Sequence, residues 1–285
     1  MNIQRSYGNH GSGTLYLVPT PIGNLEDMTF RSVKTLQSAD LIASEDTRNT
    51  QKLLNHFEIK VPQKSFHEHN YRERIPELIT LLKKGQMIAQ VSDAGMPSIS
   101  DPGQELVAAC IAEDIPVVSL PGATAGMTAL IASGLSPQPF YFYGFLQRKK
   151  SQQKKELEQL KNQTSTMIFY ESPHRVKETL KNAEQVLGNR QVVICRELTK
   201  LYEEYIRGSM QEVINYLAEH PLKGECCLLI AGASEVLEEE IPEGSLKEQV
   251  EHLVEEGLSS KEAIKEVAKR NQLKKQEVYK EFHEL

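Results

Sequence analysis

Residues 86–103 constrain this chain most. Gln86-Met-Ile-Ala-Gln-Val91 is a short, mostly apolar run of the kind that fills an interior strand, and it leads straight into Val91-Ser-Asp-Ala-Gly-Met-Pro-Ser-Ile-Ser-Asp-Pro-Gly103. That second segment carries two carboxylates, Asp93 and Asp101, within two Gly/Pro turns, and residues 104–113 follow it with the apolar spacing of a helix. Strand, polar turn and helix in that order form one unit of an open α/β sheet, where ligands sit beyond the carboxyl ends of the strands. A small-molecule site at residues 93–103 is therefore expected.

The same rhythm recurs through the first half. Short apolar strands are predicted at 15–18, 40–43, 86–91 and 116–119, alternating with helices at 30–37, 50–57, 73–83 and 123–132, which predicts a mostly parallel sheet. From Phe140 the pattern changes. Strands at 140–145, 165–170, 191–196, 201–206 and 225–231, with helices at 150–161, 173–186 and 210–217, predict a second, mixed sheet. The expected organisation is a flexible arm at 1–12, α/β domains at 13–138 and 139–233, an acidic linker at 234–245, and a helical module at 246–285. In that module Gly257-Leu-Ser-Ser260 reads as the end of one helix and the start of the next.

Composition narrows the function classes. A chain of 285 residues with 39% hydrophobic content buries a substantial core, and no apolar run is long enough to span a bilayer. Residues 1–13 are too polar for a signal peptide, so a soluble cytoplasmic protein is expected. Cys110, Cys195, Cys226 and Cys227 fall in helix or strand patterns without CxxC spacing, which predicts buried reduced thiols. A formal charge of −6 argues against coating nucleic acid through the overall field, and leaves that work to local basic clusters.

Three further strand ends carry polar turns. Val18-Pro-Thr-Pro-Ile-Gly-Asn24 follows the first strand and has neither GxGxxG nor Walker spacing, so nucleotide phosphate cradling is not indicated. Ser44-Glu-Asp-Thr-Arg-Asn-Thr50 places Glu45, Asp46 and Arg48 beside one another. Asp46 suits a helix cap, while a carboxylate and a guanidinium in a sheet-end crevice suit a base and an anion ligand. Ser119-Leu-Pro-Gly-Ala-Thr-Ala-Gly126 opens a helix of small residues that lets backbone approach a ligand. His67 and His69, two apart on an expected strand, lack a third convergent ligand. They read as polar substrate contacts rather than a metal site.

Several of these segments resemble a known family. Residues 13–25, Glu45-Asp-Thr-Arg48, residues 91–103, Pro121-Gly-Ala-Thr-Ala125, Glu171-Ser-Pro-His-Arg175 and Arg196-Glu-Leu-Thr-Lys200 are similar to the bacterial ribosomal RNA small subunit methyltransferase I family, over about 13–231. The resemblance implies the two-domain α/β tetrapyrrole-methylase (class III) fold, S-adenosylmethionine as methyl donor and a homodimer. Its implied substrate is the 2′-hydroxyl of a cytidine in the decoding region of 16S rRNA, within the assembled small (30S) subunit. The donor is expected in the cleft between the domains, held mainly by backbone. Pro21, Gly95, Ser98, Ile99, Ser100, Asp101, Pro121, Gly122, Thr124 and Ala125 match the family loops on one side, and Tyr170, Glu171, Glu197 and Leu198 those on the other.

Catalysis then needs placement and a base for the hydroxyl proton. Asp46 and Glu45 are the first candidates and Asp93 the third, because all three stand at adjacent strand ends. Arg48, Arg175 and Lys200 are expected to neutralise phosphates flanking the target, with His67, Asn70 and Arg148 as further substrate contacts; for Arg175 a salt bridge at a helix start is the competing role. Arg148-Lys-Lys150 with Lys154, Lys155 and Lys161 forms a basic run at the domain junction. In the helical module Lys261, Lys265 and Lys269 share one face, joined by Arg270, Lys274, Lys275 and Lys280, in a helix-turn-helix-like pattern suited to rRNA; interleaved Glu262 and Glu266 also allow a plain solvated face. Gly144-Phe-Leu-Gln147 has glutamine where family members commonly have proline, a departure expected to soften the hinge. Two rivals share the fold: a tetrapyrrole-precursor methylase, opposed by Glu45-Asp-Thr-Arg48 and the basic module, and a noncatalytic ribosome-assembly factor, opposed by the intact cofactor loops.

Overall fold

The computed structural model describes residues 3–6, 8, 11–233, 244–255, 257–271 and 273–283. Residues 234–243 of the expected linker, residues 1, 2, 7, 9 and 10 of the expected arm, and the side chain of Lys269 lie outside the described residues. Two compact units are present, Met1–Gly232 and Ala233–Leu285.

The first unit holds two five-stranded sheets. In the first, β1 (Leu15–Leu17), β2 (Leu41–Ser44), β3 (Gln63–Ser65), β4 (Ile88–Val91) and β5 (Val117–Ser119) lie in the order β3-β2-β4-β1-β5, and every neighbouring pair is parallel. Parallel strands need crossovers and are buried on both faces. Accordingly, Ile42 and Ala89 pack with Leu36 of α1 (Phe30–Ser38) and Leu54 of α2 (Thr47–His56). Their strand neighbours Ala43 and Ile88 pack on the other face with Leu78 of α3 (Tyr71–Lys83) and Leu106 of α4 (Gly103–Ala112).

The second sheet is mixed. β6 (Phe140–Phe145), β7 (Thr166–Glu171), β8 (Gln191–Arg196), β9 (Glu204–Ser209) and β10 (Cys226–Ile230) run in the order β6-β7-β10-β8-β9, and only β6 and β7 pair in parallel. One face, with Met167, Phe169, Ile194 and Leu228, packs on Leu157 of α6 (Lys150–Gln159), Leu180 of α7 (Val176–Leu187) and Val213 of α8 (Met210–Glu219). The other, with Ile168, Val193, Cys195 and Leu229, takes Ala129 and Leu130 of α5 (Ala125–Ser133). α5 thus follows a strand of the first sheet yet covers the second.

Two elements differ from expectation. β3 is a three-residue edge strand of Gln, Lys and Ser, which leaves no apolar signature to read. The strand expected at 201–206 is β9 at Glu204–Ser209, because Leu201 and Tyr202 sit in a turn, 89% and 67% exposed. That turn is closed by the Lys200 N–H donating to Glu197 O and the Glu203 N–H to Lys200 O, both at 3.0 Å. β9 ends where Ser209 and Glu212 form a capping box for α8.

The second unit contains α9 (Leu246–Glu255), α10 (Ser260–Arg270) and α11 (Lys275–Phe282), closed over Val250, Leu253, Ile264, Val267 and Val278. Lys261 and Lys265 of the expected basic face are exposed, whereas Arg270 is paired with Glu266 at 3.2 Å. Among the described residues no helix is long and apolar enough to cross a membrane.

Phe169 is the largest fully buried side chain, at the centre of β7. Phe169→Ala is expected to lower unfolding free energy by about 3–5 kcal/mol, read from urea denaturation midpoints.

Candidate active site

The loops after β1, β2, β4 and β5 meet at the carboxyl end of the first sheet, and the first three are tied by N–H groups bonded to backbone carbonyls or carboxylates. The Asp93 N–H donates to Glu45 Oε2 (3.1 Å), the Asp46 N–H to Asp93 Oδ1 (3.0 Å), and Asn49 Nδ2 to Asp93 Oδ2 (3.2 Å). This crossed pair joins the β2 and β4 loops. Thr20 and Gly95 exchange N–H···O bonds of 3.0 Å in both directions, joining the β1 loop to the same segment. Gly95 adopts φ +77°, and an added Cβ would meet Ile22 Cγ2 at 3.3 Å and Ala123 O at 3.4 Å, so glycine suits this junction.

Asp101 organises the far end of the β4 loop. Its Oδ1 accepts from Gln90 Nε2 (3.1 Å), the Gly103 N–H (2.7 Å) and the Ser98 N–H (3.1 Å), and its Oδ2 is 3.0 Å from the same Ser98 nitrogen. Burial nonetheless raises its pKa, outweighing these bonds. Ser98 itself has φ +69°, a left-handed conformation costly for a residue with a Cβ.

Between this end of the first sheet and the facing strand ends of the second lies a cavity of about 590 Å³. Glu45, Asp93, Ala94, Gly95, Ile99, Ser100, Asp101, Thr124 and Ala125 line one side. Phe145, Tyr170, Glu171, Cys195, Leu198 and Cys227 line the other. The Tyr170 hydroxyl accepts the Gly126 N–H at 3.2 Å, linking the start of α5 to β7. Burial pushes the Cys195 thiol up to about 12 and Cys226 up to about 11, and raises Cys227 as well.

The acids of the site differ in what they are free to do. Asp46 caps α2 by accepting the Arg48 N–H (2.8 Å), and the Arg48 guanidinium grips both its oxygens at 3.1 and 2.8 Å. Those bonds hold its carboxyl down at about 2. Glu45 is shifted the other way: burial raises it, only partly offset by the Asp93 N–H, and the Asp93 and Asp101 charges raise it further. Both Asp93 oxygens are engaged. Glu171, 2% exposed at its side chain, accepts from the Ser172 N–H and the Thr179 hydroxyl, both at 2.8 Å, and pairs with Arg175 at 3.4 Å.

The cavity gathers Glu45, Asp93, Gly95, Ile99, Ser100, Asp101, Thr124, Ala125, Tyr170, Glu171 and Leu198 from the expected set. The rest lie off its lining. Pro21 precedes the lining residue Ile22, Pro121 and Gly122 precede Thr124 with Gly122 against the Pro19 ring, and the Ser98 hydroxyl turns inward toward Gly103. Asp46, expected as a first-choice base, is off the lining and bound by Arg48. Asn70 is spent on the turn that starts α3, accepting the His67 N–H (2.9 Å) and donating to Ser65 O and Oγ. His67 and His69 belong to that turn rather than to a strand, and no group of three metal-ligating side chains occurs among the described residues.

The expected phosphate ligands divide. Arg48 is 87% exposed at its side chain although paired with Asp46, and Arg148 is exposed. Lys200 is held by Glu197 (3.0 Å) and Glu225 (2.9 Å); burial lowers its pKa, but the two carboxylates outweigh that and the net shift is upward. Arg175 donates to Leu146 O (3.4 Å) and Gln147 O (3.1 Å) while pairing with Glu171, so it clasps the loop after β6. Gln147 gives that loop a tie that proline would lack, since its N–H donates to Glu156 Oε2 at 2.8 Å. Ile22 and Met96 line it from two of the expected loops, whereas Phe145, Cys195 and Cys227 are lining residues not foreseen from sequence. The cysteines read as core, which they also are; the Phe145 signal was the glycine before it.

Residues 14–214 match the family Tetrapyrrole (Corrin/Porphyrin) Methylases. The chain is 57% identical over 287 residues to "Ribosomal RNA small subunit methyltransferase I" of Streptococcus pyogenes serotype M1, covering 100% of both chains. It is 54% identical to the protein of the same name from Bacillus subtilis (strain 168), over 97% of this chain and 96% of that one. The fold is similar to that of the methyltransferase CobJ (TM-score 0.60, 16% identity, 78% and 95% coverage). It is also similar to uroporphyrin-III C-methyl transferase from Thermus thermophilus complexed with S-adenyl homocysteine (TM-score 0.55, 16% identity, 77% and 97% coverage). Full-length identity to those relatives, on a tetrapyrrole-methylase fold, means that the chain belongs to the ribosomal RNA small subunit methyltransferase I family.

Proposed function

We propose that this chain methylates 16S rRNA with S-adenosylmethionine, at the 2′-hydroxyl of a cytidine in the decoding region, with the assembled small subunit as substrate and a homodimer as the working form. Family membership supports the reaction class. The cavity supports the donor, since about 590 Å³ lies within the usual range for sites of such ligands. Its lining also suits a molecule that is cationic at sulfur and amine yet carries an apolar ring, with Asp93 and Asp101 on one side and Tyr170 and Leu198 on the other.

Bound there, S-adenosylmethionine supplies an electrophilic methyl group. The chain's own task is to fix the loops at 93–101 and 121–125, exclude water and take one proton from the attacking hydroxyl. One observation supports Glu45 as the base. Among the clustered acids Glu45, Asp46, Asp93, Asp101 and Glu171, four have both oxygens committed to donors, while Glu45 has only Oε2 engaged. Its raised pKa brings it nearer the working pH, where a general base is most effective. The base role expected first for Asp46 therefore passes to Glu45, and Asp46 holds α2 and Arg48. Arg48 and Arg148 remain the outward cations for phosphate, with the exposed lysines around α6.

Glu45→Gln is expected to lower turnover by about 10²–10⁴-fold with methyl-donor affinity unchanged. The assay is labelled methyl transfer to small subunits from cells lacking the gene, with rRNA mass mapping for the product; near-normal turnover would refute the assignment. The same variant tests linkage. Glu45 holds its proton to higher pH in the folded than in the unfolded chain, so ionising it costs stability, and stability falls as pH rises from its unfolded pKa through its folded one. Glu45→Gln escapes that loss: it is expected to melt above the parent at about pH 8 and to converge with it near about pH 4. Removing residues beyond Ile241 is expected to weaken subunit binding and flatten its salt dependence, checked by titrations at several salt concentrations.

A further inference from the structure

Phe145 has no part in the reaction as derived so far. It lines the cavity yet is 58% exposed, between buried Gly144 and buried Leu146. Its direction is set by an irregularity in β6. Residues two apart on a regular strand share a face, so Phe145 would follow Tyr143, which packs into the α6–α8 core against Phe169 (ring centroids 5.5 Å apart). The register of β6 on β7 shifts between Phe142 and Gly144, and Gly144 adopts φ +85°. This bulge sends Phe145 to the opposite side, where its ring meets the Tyr170 ring edge-on at 5.5 Å, as Phe142 does at 5.2 Å.

Both flanks of the ring are anchored. On one side the bulge pairs with β7; on the other the Arg175 guanidinium holds Leu146 O and Gln147 O, braced by buried Glu171. Directly after come three exposed cations, Arg148, Lys149 and Lys150. A preoriented, half-exposed aromatic ring beside a basic run is the combination by which proteins hold unstacked bases: cations follow the phosphates and the ring takes the base. A ribose hydroxyl also reaches a cavity between two sheets most readily when its nucleotide has left the helical stack.

We propose that Phe145 is the stacking platform for the nucleobase of the nucleotide being methylated, with Arg175 its positioning residue. The proposal rests on the rRNA methyltransferase reading above. Stacking needs a π face, whereas filling an apolar gap does not, and substitutions separate the two. Phe145→Leu is expected to raise the KM for small ribosomal subunits about 5- to 150-fold, leave the KM for S-adenosylmethionine within about twofold, and keep the parent's salt dependence. Phe145→Tyr is expected to restore the subunit KM. Both are measured by labelled methyl transfer on folded protein checked by circular dichroism. A leucine variant that matches the parent, or one whose methyl-donor KM rises in step with the subunit KM, overturns the proposal and makes Phe145 apolar filling or a wall for the donor. A parent enzyme that transfers no methyl group to the subunits overturns the underlying reading instead, and this proposal with it.

Discussion

The carboxylate of Asp93 stands where the loops after β2 and β4 come together, and the rest of the site is arranged around how it is held. It accepts the backbone N–H of Asp46, while its own N–H donates to Glu45, so two adjacent strand ends are tied by a reciprocal pair of bonds. Backbone amides are good anchors because they cannot swing away as long side chains do. The β1 loop joins through the two Thr20–Gly95 bonds, and Asp101 ties the loop back to the start of α4. One wall of the cavity is therefore set before any ligand arrives.

That construction assigns different work to chemically similar groups. Asp46 and Glu45 are neighbours in sequence, yet one lies under an arginine with its pKa near 2 and the other is raised by burial. The same division runs through the cations: Lys200 and Arg175 are committed to carboxylates and carbonyls inside the fold, whereas Arg148 to Lys150 face solvent. Glu45 combines the two kinds of work, since its Oε2 accepts the Asp93 N–H as a tie between loops while the same carboxylate is the proposed base.

Most of the architecture was legible because it follows from periodicity. β4, buried at every residue, and the polar loop after it announce a parallel sheet, and Asp46, read as a helix cap, does cap α2. β3 escaped because three polar residues on an edge carry no pattern, and β9 was placed early because Leu201 and Tyr202 are apolar residues in a solvent-exposed turn. At the site, the lining loops could be read from glycine, proline and carboxylate spacing. The division of labour among Glu45, Asp46 and Asp93 could not, because it depends on which oxygens are already bonded. Phe145 was hidden for a related reason: a one-residue bulge reverses a strand's faces, and only the pairing reveals it.

The three cysteines beside the cavity acquire a meaning from what the cavity is proposed to hold. A sulfonium methyl donor is an alkylating agent, and a thiolate is among the best nucleophiles a protein can offer it. Burial pushes the Cys195 thiol up to about 12, which keeps it in the neutral form at neutral pH, and the apolar packing against β7 and α5 raises Cys227 in the same direction. For a donor held there as proposed, burial on this face of the second sheet leaves the neighbouring sulfur uncharged and so a poor nucleophile toward the methyl group.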